Sequence, residues 1–222
     1  MARFGSVAAA AIGLAALATS ASAAGQPEEH VRGVIGAVAN DTVTVKGADG
    51  RAQKLKLGDE TRVSFATRAD LGAIAKDEFV GTTAVEGSDG SLRAVEVHVF
   101  PQAMRGTGEG HRPWDLKPGS TMTNATVASV EGSKTAPPST MTNATVSDVA
   151  GAAGGKTLTL SYAGGEKKVL VPPGTPVVRI EPADRSALAP GQHVFAAGAR
   201  QPDGTVLVNR IFVGKDGVVP PM

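Results

Sequence analysis

From Val31 onward, apolar and polar residues alternate in short bursts, V-R-G-V-I-G-A-V, T-V-T-V-K, A-Q-K-L-K-L and R-V-S-F, each bounded by Gly, Asn-Asp or Asp-Gly. A period of two sends every second side chain to the same face, so each burst predicts a strand with one apolar face. Asn40-Asp41 and Asp49-Gly50 fall where tight hairpin turns need residues that tolerate φ > 0. Leu71 and Ile74 in R-A-D-L-G-A-I-A predict a single helical turn plugging the end of a barrel. The hairpin E-F-V-G-T-T-A-V-E and L-R-A-V-E-V-H-V-F closes around Ser88-Asp89-Gly90. Its second strand has Val95, Val97 and Val99 on one side and Glu96 and His98 on the other.

A shift of 114 residues brings the unit back. L-K-L-G-D-E-T-R-V (55–63) faces V-L-V-P-P-G-T-P-V (169–177), Asp89-Gly90 lands on Asp203-Gly204, and Val97-His98-Val99 lands on Ile211-Phe212-Val213. Apolar positions repeat as apolar and turns as turns, which predicts duplication of a small barrel. The expected fold is therefore all-β: two tandem small OB-like antiparallel β-barrels joined by a Gly/Pro-rich linker. Copy 1 covers 31–100, the linker 101–138, copy 2 139–214 and a C-terminal tail 215–222, with 25–30 a flexible N-terminus. A second repeat lies inside the first. S-T-M-T-N-A-T-V occurs at 120–127 and again, letter for letter, at 139–146. The second instance runs directly into T-L-T-L and is expected to be the barrel strand, the first being extra or paired at an edge.

The start of the chain changes the picture of where this fold resides. Residues 1–24 carry one basic residue, Arg3, then an Ala-rich apolar run ending in Ala21-Ser22-Ala23, a pattern suited to signal-peptide cleavage. Export to the periplasm or beyond is the expectation, and no other stretch is long and apolar enough to span a bilayer. The chain has 22 basic and 21 acidic residues, so loss of Arg3 leaves 21 against 21. A neutral mature chain lacks the basic stripe of a nucleic-acid binder. Cysteine is absent, which removes disulfides, thiolate metal sites and cysteine nucleophiles.

The run V-x-G-x-I-x-x-V, T-V-T-V, the A-D-L turn and the closing D-G hairpin resemble a bacterial family of small exported β-barrel domains. The stretch R-G-T-G-E-G-H-R-P-W-D-L-x-P-G-S-T-M-T-N-A-T-V, here Arg105 to Val127, looks like the hallmark of hypothetical proteins often labelled metal ABC transporter permease. The resemblance covers nearly the whole mature chain and implies a fold and an export route. It brings no catalytic residues with it.

Candidate chemistry is sparse. Ala150 to Thr157, A-G-A-A-G-G-K-T, imitates a phosphate loop, but a strand pattern follows where the loop needs a helix. His98 aligns with Phe212 and His193 with Phe79 across the repeat, so both read as packing positions, and His30 has no partner at a recognisable spacing. Asn124-Ala-Thr126 and Asn143-Ala-Thr145 read as strand composition rather than glycosylation sites. The linker is richer: Arg105, His111, Arg112, Trp114 and Asp115 form a contact set, either between the barrels or toward a partner. The expected function is a non-enzymatic binding or structural module of the cell envelope, its partner an envelope protein or small ligand, with no cofactor. The alternative is a Cu or Zn accessory protein, with Met104, His111 and Met122 converging on a soft metal. A hydrolase without a recognisable motif is the third reading.

Overall fold

The computed structural model describes residues 28–132 and 155–222. The leader and the second S-T-M-T-N-A-T-V instance, expected to be a barrel strand, lie outside the described residues. The first half contributes strands β1 (Glu29–Ala39), β2 (Thr42–Lys46), β3 (Ala52–Arg68), β4 (Phe79–Glu86), β5 (Leu92–Val99), β6 (Gly110–Pro113) and β7 (Ser120–Gly132). The second contributes β8 (Lys156–Tyr162), β9 (Gly165–Val171), β10 (Val177–Ala183), β11 (His193–Arg200) and β12 (Val206–Gly214). Single 3₁₀ turns at Leu71–Ala73, Gln102–Met104 and Arg185–Ala187 complete the regular structure of the described residues.

The alternation read from the sequence forms these strands, and the turn residues close them. Asn40 adopts φ 49° between β1 and β2, and Gly50, Gly90 and Gly204 adopt 78°, 74° and 82°. Before each of these glycines an aspartate accepts the backbone N–H two residues on, as Asp49 does from Arg51 at 3.0 Å and Asp203 from Thr205 at 2.9 Å. The same device opens the 3₁₀ turns, where Asp70 and Asp184 accept from the N–H of Gly72 and Ser186. Lys156 and Thr157 open β8, so the phosphate-loop imitation does lead into a strand.

Five strands close a barrel: β1 pairs with β2, β2 with β3, β3 with β12 in parallel, β12 with β11, and β11 with β1. Ile35, Val43, Val45, Leu55 and Ile211 fill its interior, and Leu188 beyond the third 3₁₀ turn plugs it. The other strands run a second circuit, in which β7, β8 and β9 pair in order and β4 pairs with both β7 and β5. Parallel contacts of β5 with β9 and β10 complete it. Val80, Val97, Ala125, Leu158 and Val169 lie in its core, with Ile74 as the plug.

This connectivity corrects the expected tandem arrangement. The β4–β5 hairpin, expected in copy 1, joins the strands of the second half, and β11–β12, expected in copy 2, closes the barrel begun by β1–β3. The crossover is made by β3 and β10, which run antiparallel with Ala66 opposite Ile180. Those two residues are themselves 114 apart (180 − 66), so the crossover pairs about the repeat's own offset.

Three further expectations change. Ser120–Gly132 is a fully engaged strand, paired with β4 on one side and with β6 and then β8 on the other. It is neither linker nor extra, because Ala125 and Val127 are needed in the core. Residues 29 and 30, expected to be flexible, begin β1 opposite Gly198 and Ala197, with His30 packed on Trp114. The C-terminal tail turns back, with Lys215 N–H on Ala66 O at 3.0 Å and Val218 and Met222 buried.

Candidate functional site

Three adjacent strands build the site's floor. Across β7, β4 and β5 the register sets Met122, Thr83 and Glu96 in one row and Asn124, Gly81 and His98 in the next. Side chains alternate, so the opposite face of these strands carries Val80, Val97, Val99 and Ala125 into the second core. Strands buried on one side only would leave Glu96 and His98 in solvent. Here they are 2% and 1% exposed. Across from His98 lies the outward face of the closed barrel, presenting Phe195 and Phe212, together with Phe100, Met104 and Trp114 of the 100–119 strap and Met222 of the tail. The layer between the two surfaces holds a cavity of about 410 Å³.

Burial decides the ionisation of the two floor groups. Desolvation pushes the Glu96 carboxyl up to about 7, against a 2.5 Å hydrogen bond from Thr83 Oγ1 that favours the charged form. Desolvation likewise pushes His98 down to about 4, against a hydrogen bond to the Pro221 backbone carbonyl. The imidazole is therefore neutral near pH 7, and its Nε2 has no partner, lying 3.6 Å from Glu96 Oε1. Trp114 Nε1 and Asn124 Oδ1 are also buried without a hydrogen-bond partner. Native proteins leave few such atoms unsatisfied, so each calls for a partner from protein or solvent.

The five residues expected to form a contact set are all engaged within the chain. Arg105 donates to Thr126 Oγ1 at 3.0 Å and to the Asp77 carbonyl, fastening the strap to β7 and to the loop before β4. Asp115 accepts from Arg32 at 2.7 Å and lies 3.0 Å from His30 Nδ1, both on β1. Burial pushes the Asp115 carboxyl up, but the hydrogen bonds from Arg32 and His30 outweigh it and hold it at about 2. Trp114 stacks at 4.4 Å on His30, with Phe195 at 6.4 Å and the Arg112 guanidinium 5.6 Å over its ring. Its own backbone N–H pairs with Ser120 O on β7. His111 Nδ1 lies 2.8 Å from Thr123 Oγ1.

The metal trio is not assembled. Met104 and Met122 both line the cavity, but His111 is the cross-strand partner of Thr123, whereas Met122 faces Arg112. Cross-strand partners share a face, so His111 projects away from Met122. Among the described residues no group of three or more His, Cys, Asp or Glu is placed to hold a metal ion. Glu96, His98, Asn124, Phe195 and Phe212 were the residues missed. The signal for two of them was present, because Glu96 and His98 alternate with core valines on β5. What the sequence did not contain was the second surface that buries them.

The chain matches no protein-family model, no curated protein and no solved structure. Among its described residues no helix is long and apolar enough to cross a membrane.

Proposed function

We propose that this is an exported, non-enzymatic binding module of the cell envelope, built from two OB-like barrels that arose by duplication and exchanged hairpins, with its ligand in the layer between them. The matched registers favour the duplication. Val63 pairs with Ile211 and Phe65 with Val213, and the residues offset by 114 pair likewise, Val177 with Val97 and Arg179 with Val99. The Ala-rich leader supports export to the periplasm or beyond.

One observation carries the binding reading: the cavity of about 410 Å³, walled by aromatic rings and bordered by the unpartnered His98 Nε2, Trp114 Nε1 and Asn124 Oδ1. The buried Glu96 is hydrogen-bonded to Thr83 and does not line that space, which disfavours acid–base chemistry there. Titration of the mature protein with the neutral apolar dye N-phenyl-1-naphthylamine tests the reading. Saturable enhancement at one site, lost when Met104→Trp fills the cavity, is expected, and dye uptake indifferent to that substitution would refute it.

A soft-metal accessory role is the second reading, because Met104, Met122 and Met222 line the same cavity as the neutral His98. Stoichiometric Ag(I) binding tighter than about 1 µM and lost in His98→Phe would favour it over the first.

A further inference from the structure

We propose that the occupant of this cavity is a small amphipathic carboxylate, its ring or short chain lying among the phenylalanines, its carboxylate at Arg112 and Trp114 Nε1, and a hydroxyl or N–H donor reaching His98 Nε2. The inference rests on the reading of the cavity as a ligand site and adds the chemistry of what fills it.

The cavity is polarised. At its floor both unpartnered atoms are acceptors. The imidazole's other nitrogen donates its N–H to the Pro221 carbonyl, which leaves Nε2 with a lone pair. The Asn124 amide turns its Nδ2 toward Thr107 O at 3.5 Å, which leaves Oδ1 inward. His98 and Asn124 flank Gly81 in one row of the sheet, so a single donor group is within the reach of that row.

At the strap the polarity reverses. Trp114 Nε1–H is a donor without an acceptor. Four charged residues also line the cavity, Glu28, Glu109, Arg112 and Arg210. Glu28 and Arg210 neutralise each other at 2.5 Å, and Glu109 turns one oxygen onto the Ala163 amide at 2.9 Å. Arg112 has no carboxylate within ion-pair distance among the described residues, and its hydrogen bond goes to the Gly108 carbonyl at 2.8 Å. A guanidinium has five N–H donors in a fork suited to a carboxylate, so most of its capacity is unspent.

The space between the two poles is lined by Phe100, Phe195 and Phe212. A volume of about 410 Å³ suits a molecule of roughly a dozen to twenty non-hydrogen atoms. The volume exceeds what a bare ion needs.

Calorimetry on the mature protein with 4-hydroxycinnamate, its methyl ester and 4-methoxycinnamate separates the poles. One site is expected for the acid, with the neutral ester at least about tenfold weaker and that preference lost in Arg112→Gln. His98→Phe places at the floor the residue that stands at the repeat-equivalent position, Phe212, and should erase the preference for 4-hydroxy over 4-methoxy. If Arg112→Gln leaves the acid-over-ester ratio unchanged, or if 4-hydroxycinnamate at about 10 mM fails to displace bound N-phenyl-1-naphthylamine, the carboxylate assignment is wrong while the ligand site stands. If the dye itself does not bind, the ligand site falls as well. His98-dependent Ag(I) binding without any organic ligand would give the cavity to a metal.

Discussion

Glu96 and His98 sit one above the other on β5, and burial moves their proton affinities in opposite directions. The Glu96 carboxyl, ordinarily near 4.5, is raised to about 7. Between those values the native state keeps a proton that the unfolded chain releases, so stability falls as pH rises through that window. His98 is lowered from 6.5 to about 4. Over that range the unfolded chain takes up a proton that the native state refuses, so stability rises with pH. Each slope alone is worth about 3 kcal/mol, and from pH 4.5 to 6.5 they oppose each other. Urea unfolding of the wild type is expected to vary little with this pair across that interval. Relative to it, Glu96→Gln should gain a rising slope and His98→Phe a falling one, and parallel profiles for all three would exclude the assignment. A second residue-scale test is Gly33, in the V-x-G-x-I pattern of β1. A Cβ there would lie 2.2 Å from the Lys46 carbonyl oxygen. Gly33→Ala should therefore cost more than about 2 kcal/mol in the same unfolding measurement, since neither backbone can yield without breaking the β1–β2 ladder.

At the scale of elements, β7 has a letter-identical twin in the sequence. Deleting 120–138 leaves S-T-M-T-N-A-T-V at 139–146, sets Val149 where Val130 stood, and leaves 152–155 to turn into Lys156. The deletion should cost less than about 2 kcal/mol by denaturant unfolding, and a chain that fails to fold would show that the first copy has no substitute. The strap makes a different prediction. Trp114 bridges His30 on β1 and, through its backbone, Ser120 on β7. Its emission should be blue-shifted and only partly quenched by iodide, and Trp114→Ala should lower stability by about 2–3 kcal/mol. Much of this level was legible in advance. Period-two alternation and the Asp-Gly turns gave the strands and hairpins, and the A-D-L motif gave the 3₁₀ turn at Leu71–Ala73. That 120–127 enters the sheet was not legible, because its twin at 139–146 has identical residues and so identical propensities; the pairing of Thr126 with Ser161 is what places it. The strap's residues were singled out by composition, yet the site's floor was not. Glu96 and His98 alternate with valines as solvent-facing residues also do, and His98 faces a cavity shared with Phe195 and Phe212, about a hundred residues further along the chain.

For the whole molecule, the routing of the hairpins was not legible in the sequence, because tandem and interleaved connections would place the same residues in equivalent environments. The pairing of β11 and β12 with β1 and β3, and of β4 with β7, is what distinguishes them. The interleaved connectivity predicts one calorimetric transition, since each core draws strands from both halves of the chain. A core substitution such as Val43→Ala should shift that single transition, and two resolved transitions would show that the cores melt separately. The same crossover sets an order of events while the chain is being made. Strands β1 to β3 are the earliest described part of the chain to be synthesised, but the β12 edge that closes their barrel, Val206–Gly214, is made after every other described strand. Their open edges must wait until all the other described strands have been made, while the second circuit closes earlier, once β10 is complete. A ribosome-stalled chain ending before β11 should therefore expose Glu29–Ala39 to protease, and release of the finished chain should protect it. The part begun first is the part completed last.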